Sequence, residues 1–146
     1  MERIKYLSRL PHSRKLKDLA LIGTHQSLAY TANLDRLQTQ DFDIFRQLKH
    51  GIRVLHVEVH QTSNSFNIIL FGNKIYVTFS DLLKTIDHFL THNPWEFVIL
   101  LLEIKFELKS DEPKRNCDII DHYINTAEGG RRLVKNWGPN DTIGEH

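Results

Sequence analysis

One six-residue segment constrains the fold of this chain more than any other feature. Phe97–Leu102 is continuously apolar and contains neither a charged residue nor a proline. It is far too short to cross a bilayer, but its composition is typical of a strand that is buried on both faces. Strands of this kind belong to parallel sheets covered by helices, so the segment favours an α/β fold.

Amphipathic patterns predict the helices that such a sheet needs. Apolar residues have helical spacing within residues 39–50, and Gly51 follows as a C-terminal stop. The same spacing runs from Phe79 to Leu90, behind Ser80 as a candidate N-cap. A last helix is predicted around residues 119–124.

Three further apolar segments predict strands, at Leu19–Ile22, Ile52–Val59 and Phe66–Phe71. Taken with the helices, their order along the chain predicts a parallel sheet. Chemistry in such folds gathers at the carboxyl ends of the strands. The polar residues near those predicted ends are Thr24, His25, Gln26, His56, Glu58, Glu103 and Lys105.

Four segments within residues 16–107 resemble, in the correct order, the X region of phosphatidylinositol-specific phospholipase C. They read LKDLALIGTHQS from residue 16, QLKHGIR from residue 47, FSDLL from residue 79 and HNPWEFVIL from residue 92. The resemblance implies a partial TIM-type (β/α) barrel, the first half of a phosphodiesterase barrel of this family. A full barrel takes about 250 residues, so we expect residues 1–146 to form one incomplete region of this kind. Whether it is a fragment of a longer protein or a truncated paralogue stays open.

The resemblance also implies a mechanism. In this family one histidine is the general base for the inositol 2-hydroxyl, and a second histidine protonates the departing diacylglycerol oxygen. The first histidine corresponds to His25. The second corresponds to Phe71, which precedes Gly72 and cannot transfer a proton.

The cation that stabilises the phosphate is altered as well. Bacterial members place an arginine where this chain has Glu58, and eukaryotic members use calcium instead. Gln26 replaces an aspartate or asparagine, and His56 replaces an acid. Glu103 matches a glutamate metal ligand of eukaryotic members, whereas bacterial members have lysine there.

These exchanges leave two hypotheses. The first is a phosphodiesterase of reduced activity, in which Gln26, His56, Glu58 and Glu103 hold a divalent cation. Calcium prefers oxygen ligands, whereas the nitrogen of His56 would favour manganese or zinc. Alternatively, these side chains bond only the backbone and water. The second hypothesis is a non-catalytic module that binds a lipid head-group or a protein.

Charge and cysteine content bear on partners and location. The net charge of +1 gives no whole-chain field for nucleic acid. Basic residues crowd the segment 3–17, which is either a solvated face or a contact for anionic lipid. The single Cys117 and the absence of a signal-peptide pattern favour an intracellular, cytoplasmic location with peripheral membrane contact. The open edges of a half-barrel predict either a homodimer or a missing C-terminal half.

Overall fold

The computed structural model describes residues 5–30, 38–62, 65–70, 73–74, 77–106 and 115–145. Its strands are β1 (Gly23–Thr24), β2 (Val54–Thr62), β3 (Ser65–Leu70), β4 (Asn73–Lys74) and β5 (Ile99–Phe106). Its helices are α1 (Ile44–Lys49), α2 (Phe79–His92) and α3 (Asn116–Thr126). No helix within these residues is long and apolar enough to cross a membrane.

Strand β2 is the centre of the sheet. It pairs in parallel with β1 at its start and with β5 along eight residues, from Val54↔Ile99 to Gln61↔Phe106. Parallel strands with helices packed against them agree with the predicted α/β class and with a partial barrel.

Two predicted strands differ in the structure. The segment at 66–71 was expected in the parallel sheet, but β3 pairs with β2 antiparallel, from Val59↔Ile68 to Thr62↔Ser65. Only residues 63 and 64 separate the paired ends, and a parallel crossover needs a dozen residues or more. Leu19–Ile22 is not a strand. Ile22 is 59% exposed and contributes only its carbonyl to the backbone N–H groups of Arg53 and Val54.

Side chains of β2 alternate between two environments. Leu55, Val57 and Val59 are buried in a core shared with the three helices. Phe66, Phe79 and Tyr123 form an aromatic cluster within that core. His56, Glu58 and His60 are half-buried on the opposite face, which carries the polar residues.

The strand β5 departs from the expected burial on both faces. Leu101 is 49% exposed, on the same face as His56, its partner in the register. Leu100, Leu102 and Ile104 pack against the core. The sheet is therefore covered by helices on one face, while the face of Leu101 is open to solvent in the described part of the chain.

The helix ends are defined by local hydrogen bonds. Thr78, rather than the predicted Ser80, caps α2: its side chain accepts from the Asp81 N–H, and the Asp81 side chain accepts from the Thr78 N–H. Helix α1 is shorter than the predicted 39–50 because Asp43 caps it at Ile44. The predicted stop at Gly51 is confirmed, since its φ of 93° is left-handed.

A buried ion pair lies under the amino ends of the parallel strands. Arg53 Nε donates to Glu96 Oε2 at 3.0 Å, and the two side chains are 0% and 1% exposed. The rings of Tyr6 and Phe89 lie 5.4 Å and 4.9 Å from the guanidinium carbon. Glu96 also accepts from the Ser8 N–H at 3.0 Å, which ties the N-terminal segment to this end of the sheet.

Candidate functional site

The turn after β1 is held by an internal hydrogen-bond network. Thr24 Oγ1 lies 2.7 Å from both Ser27 Oγ and Gln47 Oε1. Gln47 Nε2 donates to the Ser27 carbonyl at 2.8 Å. The Ser27 N–H donates to the His56 carbonyl, and the His56 N–H donates to Ser27 Oγ. Because Ser27 and Gln47 are buried, the turn has little freedom and His25 is presented at a fixed place.

His25 projects from this turn against a second histidine. Its ring stacks on the ring of His56, with centroids 4.8 Å apart and planes 7° from parallel. The adjacent Gln26 has a φ of 46° and donates its backbone N–H to His56 Nδ1 at 3.1 Å.

Charged side chains continue from His56 along the open face. The register pairs Glu58 with Glu103 and His60 with Lys105. His56 Nε2 lies 3.1 Å from Glu103 Oε2, and His60 Nε2 lies 3.1 Å from Glu58 Oε1. Lys105 Nζ lies 3.1 Å from Glu58 Oε2 and 3.6 Å from Glu103 Oε1, so its ammonium bridges both carboxylates. We call these residues, with His25, the polar face.

The contacts keep the central ion pair charged. Partial burial disfavours the Glu58 carboxylate, but hydrogen bonds from Lys105 and His60 outweigh it and lower the pKa of Glu58. The hydrogen bond to Glu58 is the main cause that raises the pKa of Lys105. The polar face thus holds an ionised carboxylate at Glu58, with the ammonium of Lys105 beside it.

The structure brings together five of the predicted site residues, namely His25, Gln26, His56, Glu58 and Glu103. Phe71, the sixth, lies outside the described residues. Roles for these side chains stay predictions.

The arrangement does not fit the predicted divalent cation. An ammonium group already bridges the two carboxylates, and within the described residues no three His, Cys, Asp or Glu side chains are grouped as metal ligands. A cation at this place would have to displace Lys105.

Sequence reasoning overlooked part of this site. Gln47 and Ser27 lock the turn, His60 lies inside β2 rather than beyond its end, and Lys105 bridges the two glutamates. The available signal was the alternation of side chains along a strand. It places His56, Glu58 and His60 on one face of β2, and Glu103 and Lys105 on one face of β5. A glutamine on the buried side of a short helix was the signal for Gln47.

A cavity of about 790 Å³ lies on the other face of β5. Leu100, Leu102 and Trp137 are among its lining residues, and His25 and His56 are not. It carries no part of the polar face.

Comparisons with known proteins agree with this architecture. A family model described as PI-PLC X 1 matches residues 12–127. A Listeria monocytogenes protein, 1-phosphatidylinositol phosphodiesterase, is 30% identical over 126 residues, which are 82% of this chain and 36% of that protein.

Solved structures give the same result for the fold. A Staphylococcus aureus phosphatidylinositol-specific phospholipase C superposes with a TM-score of 0.84 at 17% identity, over 99% of this chain and 50% of the other. The Listeria monocytogenes phospholipase C superposes with a TM-score of 0.65 at 26% identity, over 84% and 43%. The chain therefore spans about half or less of the length of these relatives.

Proposed function

Since this chain belongs to the family of phosphatidylinositol-specific phospholipase C X domains, we propose that its polar face is a phosphodiesterase site with His25 as general base and with weak or no turnover. The observation that supports this is the locked turn that presents His25 beside His56. A base must be held within reach of the hydroxyl from which it takes a proton.

The charges on the polar face support a low rate of turnover. Glu58 stands where a cation would favour an incoming phosphate, and it is ionised because Lys105 and His60 donate to it. Two carboxylates face one ammonium on the polar face, so an anionic substrate gains little from it. Phe71 adds a second loss, since a missing general acid typically costs ~10²–10⁴ in rate.

The substrate class we propose is a phosphoinositide or a related phosphodiester lipid. The support is the relative from Listeria monocytogenes, whose name gives it as a 1-phosphatidylinositol phosphodiesterase. On the polar face, the ammonium of Lys105 is the group that we propose to meet the phosphate, provided that it leaves Glu58.

The test measures water-soluble inositol phosphate released from phosphatidylinositol, with and without calcium. We expect turnover far below the ordinary enzyme range of about 1–10³ per second. Any residual rate should vanish in His25→Ala and rise in Phe71→His. The control is His12→Ala, which removes an exposed histidine whose ring lies against Trp95 instead. Turnover in the ordinary range would overturn the impairment, and full activity of His25→Ala would overturn the role of His25.

Metal dependence has its own test. Any binding of calcium, manganese or zinc should require both Glu58 and Glu103, because these carboxylates face each other across the register. Calorimetric titration of Glu58→Gln and Glu103→Gln checks this. Unchanged binding in both variants would remove the polar face as a metal site.

A second candidate function is a non-catalytic head-group-binding module. The observation that favours it is that the charged side chains of the polar face pair with one another. These ion pairs stabilise the polar face whether or not it catalyses a reaction. Titration with inositol 1-phosphate, followed by NMR, distinguishes the two. Binding at the polar face together with no turnover would favour the module.

The cytoplasmic location and the peripheral membrane contact also stay proposals. Lys5, Arg9, Arg14, Lys15 and Lys17 are exposed in the N-terminal segment. Co-sedimentation with phosphatidylserine vesicles, compared with neutral phosphatidylcholine vesicles, tests the contact. Equal binding to both vesicles would exclude a charge-driven contact.

A further inference from the structure

We propose that His56 is a positioning residue for His25, held as the neutral tautomer with its proton on Nε2. This proposal rests on the proposed function, because it concerns the histidine assigned there as the base. It gives His56 a role other than metal ligand or substrate contact.

The hydrogen bonds of His56 define which nitrogen carries the proton. A backbone N–H can only donate, so the contact from Gln26 N at 3.1 Å requires a lone pair on Nδ1. A neutral imidazole with a bare Nδ1 carries its proton on Nε2, which then donates to Glu103 Oε2 at 3.1 Å. Both ring nitrogens are thus used, one as acceptor and one as donor.

The same bonds occupy both nitrogens of the His56 ring, so a proton on Nδ1 would break the bond from the Gln26 N–H. Within the described residues, the other groups that face this ring, or follow it along the polar face, are His25, Glu103, Lys105, Glu58 and His60. Lys105 also contacts Glu103, the carboxylate that accepts from Nε2.

A neutral His56 suits a base that must accept a proton. The two rings are nearly parallel, so a charge on His56 would lie directly under His25 and would repel the incoming proton. A neutral ring instead offers its π face to the imidazolium that forms on His25. The stack also limits the rotation of the His25 ring, whose nitrogens have no hydrogen-bond partner within the described residues and can face the substrate hydroxyl.

His56 Nδ1 also holds the backbone next to His25, the proposed base, because it accepts from the Gln26 N–H. Gln26 has a positive φ of 46°, which is uncommon for a residue with a side chain. Its N–H is satisfied by His56 Nδ1, and this bond fixes the peptide that follows His25. His56 therefore positions His25 in two separate ways, through the ring stack and through the Gln26 N–H.

NMR of the ¹⁵N-labelled chain separates these two roles without any need for turnover. In the parent, His56 should show a bare Nδ1 and a protonated Nε2 at neutral pH. His56→Phe keeps a flat ring but has no acceptor, so exchange of the Gln26 amide should rise by about tenfold while the ring-current shift at His25 persists. His56→Ala should lose both the amide protection and the ring-current shift.

The matched control is His60→Ala, on the same face of β2 two residues further along. It should change neither the Gln26 amide nor the His25 ring signals. The proposal is overturned if the parent His56 is protonated on Nδ1, or if His56→Phe leaves the Gln26 amide as protected as His60→Ala does. The tautomer of His56 is measured in the parent protein, so this part of the test does not depend on whether a variant folds. The proposed function is tested separately, since full activity of His25→Ala would overturn the role of His25 as the base.

Discussion

At the scale of single residues, the buried Arg53–Glu96 pair carries the largest predictable effect on stability. The guanidinium also donates from Nη1 to the carbonyls of Leu48 and Ile52, both at 2.8 Å. Burial of the neighbouring Tyr6 is the main cause that raises the pKa of its phenol. A charge in such surroundings is tolerated only while its partner is present.

Glu96→Gln should therefore lower the free energy of unfolding by about 3–5 kcal/mol, because it takes the Glu96 carboxylate away from the buried Arg53 guanidinium. Urea denaturation measures this loss. The control is Glu128→Gln, whose ion pair with Lys84 is exposed on both sides, with an expected change within about 0.5 kcal/mol. Equal losses in the two variants would show that the buried pair is not a special determinant of stability.

A pH prediction belongs to Glu58. Its pKa is lowered in the folded chain, below the ordinary value of 4.5, by hydrogen bonds that outweigh the effect of partial burial. A depressed folded pKa contributes stability that is complete above the unfolded value and is lost as the pH falls through the folded value. The parent should thus exceed Glu58→Gln in stability most at neutral pH, and the difference should shrink below about pH 4.5. Denaturation series across this range check the sign, and a difference that grows on acidification would contradict it.

At the scale of elements, the start of α2 depends on one side chain. Thr78 and Asp81 satisfy each other's backbone N–H groups. The hydrogen bond from Thr78 is the first cause that lowers the pKa of Asp81.

Thr78→Ala should cost about 1 kcal/mol of stability, the usual cost of losing a helix N-cap. Thermal or urea unfolding measures the loss. The comparison variant is Thr85→Ala on the exposed side of the same helix, where the hydroxyl only donates to the Asp81 carbonyl. If both variants lose the same amount, the loss of the cap does not explain the effect of Thr78→Ala, since helix propensity alone favours alanine over threonine.

Elements with a clear periodicity of apolar residues could be predicted from the sequence, whereas elements defined by strand pairing could not. Helix α2 begins at Phe79, as the apolar spacing of residues 79–90 indicated, because its buried stripe is continuous. Leu19–Ile22 has the composition of a strand. A short run of apolar residues has no periodicity, however, so its pattern does not show whether the segment is a buried strand or an exposed loop. The direction of β3 depends on the two-residue connection after Thr62, a signal that composition does not contain.

The candidate site was predictable as a set of positions but not as a set of contacts. The place of His25 follows from the family segment, and the structure puts Glu58 and Glu103 opposite each other. That Lys105 lies between these carboxylates could not be inferred, since it depends on the register of β2 and β5. The stack of His25 on His56 could not be inferred either, since it depends on how the turn after β1 meets β2.

At the scale of the whole molecule, the open face of the sheet predicts self-association. Within the described residues β5 pairs with β2 alone, and Leu101 is half-exposed on the open face. An apolar strand with a free edge is a template for pairing with another chain. Either a second copy or a further part of a longer polypeptide would cover it.

Light scattering after size-exclusion chromatography, over a dilution series, should therefore show association of this chain. Leu101→Lys should shift it toward the monomer, because a charge on an open strand opposes pairing. The control is Val134→Lys, at a residue that is equally exposed, 49%, but lies outside the sheet. A monomer at every concentration would contradict the half-barrel argument.

The buried Arg53–Glu96 pair lies just before the first residues of β2 and β5, whereas the polar face lies along the open side of these strands. Exchange of His25, or of the exposed Glu103, removes no buried contact of the core, and the turn is locked by Thr24, Ser27 and Gln47 instead. Selection for a folded chain therefore does not oppose exchange of the side chains on the polar face. A lineage of this design can change these side chains by neutral substitution while its architecture is inherited intact.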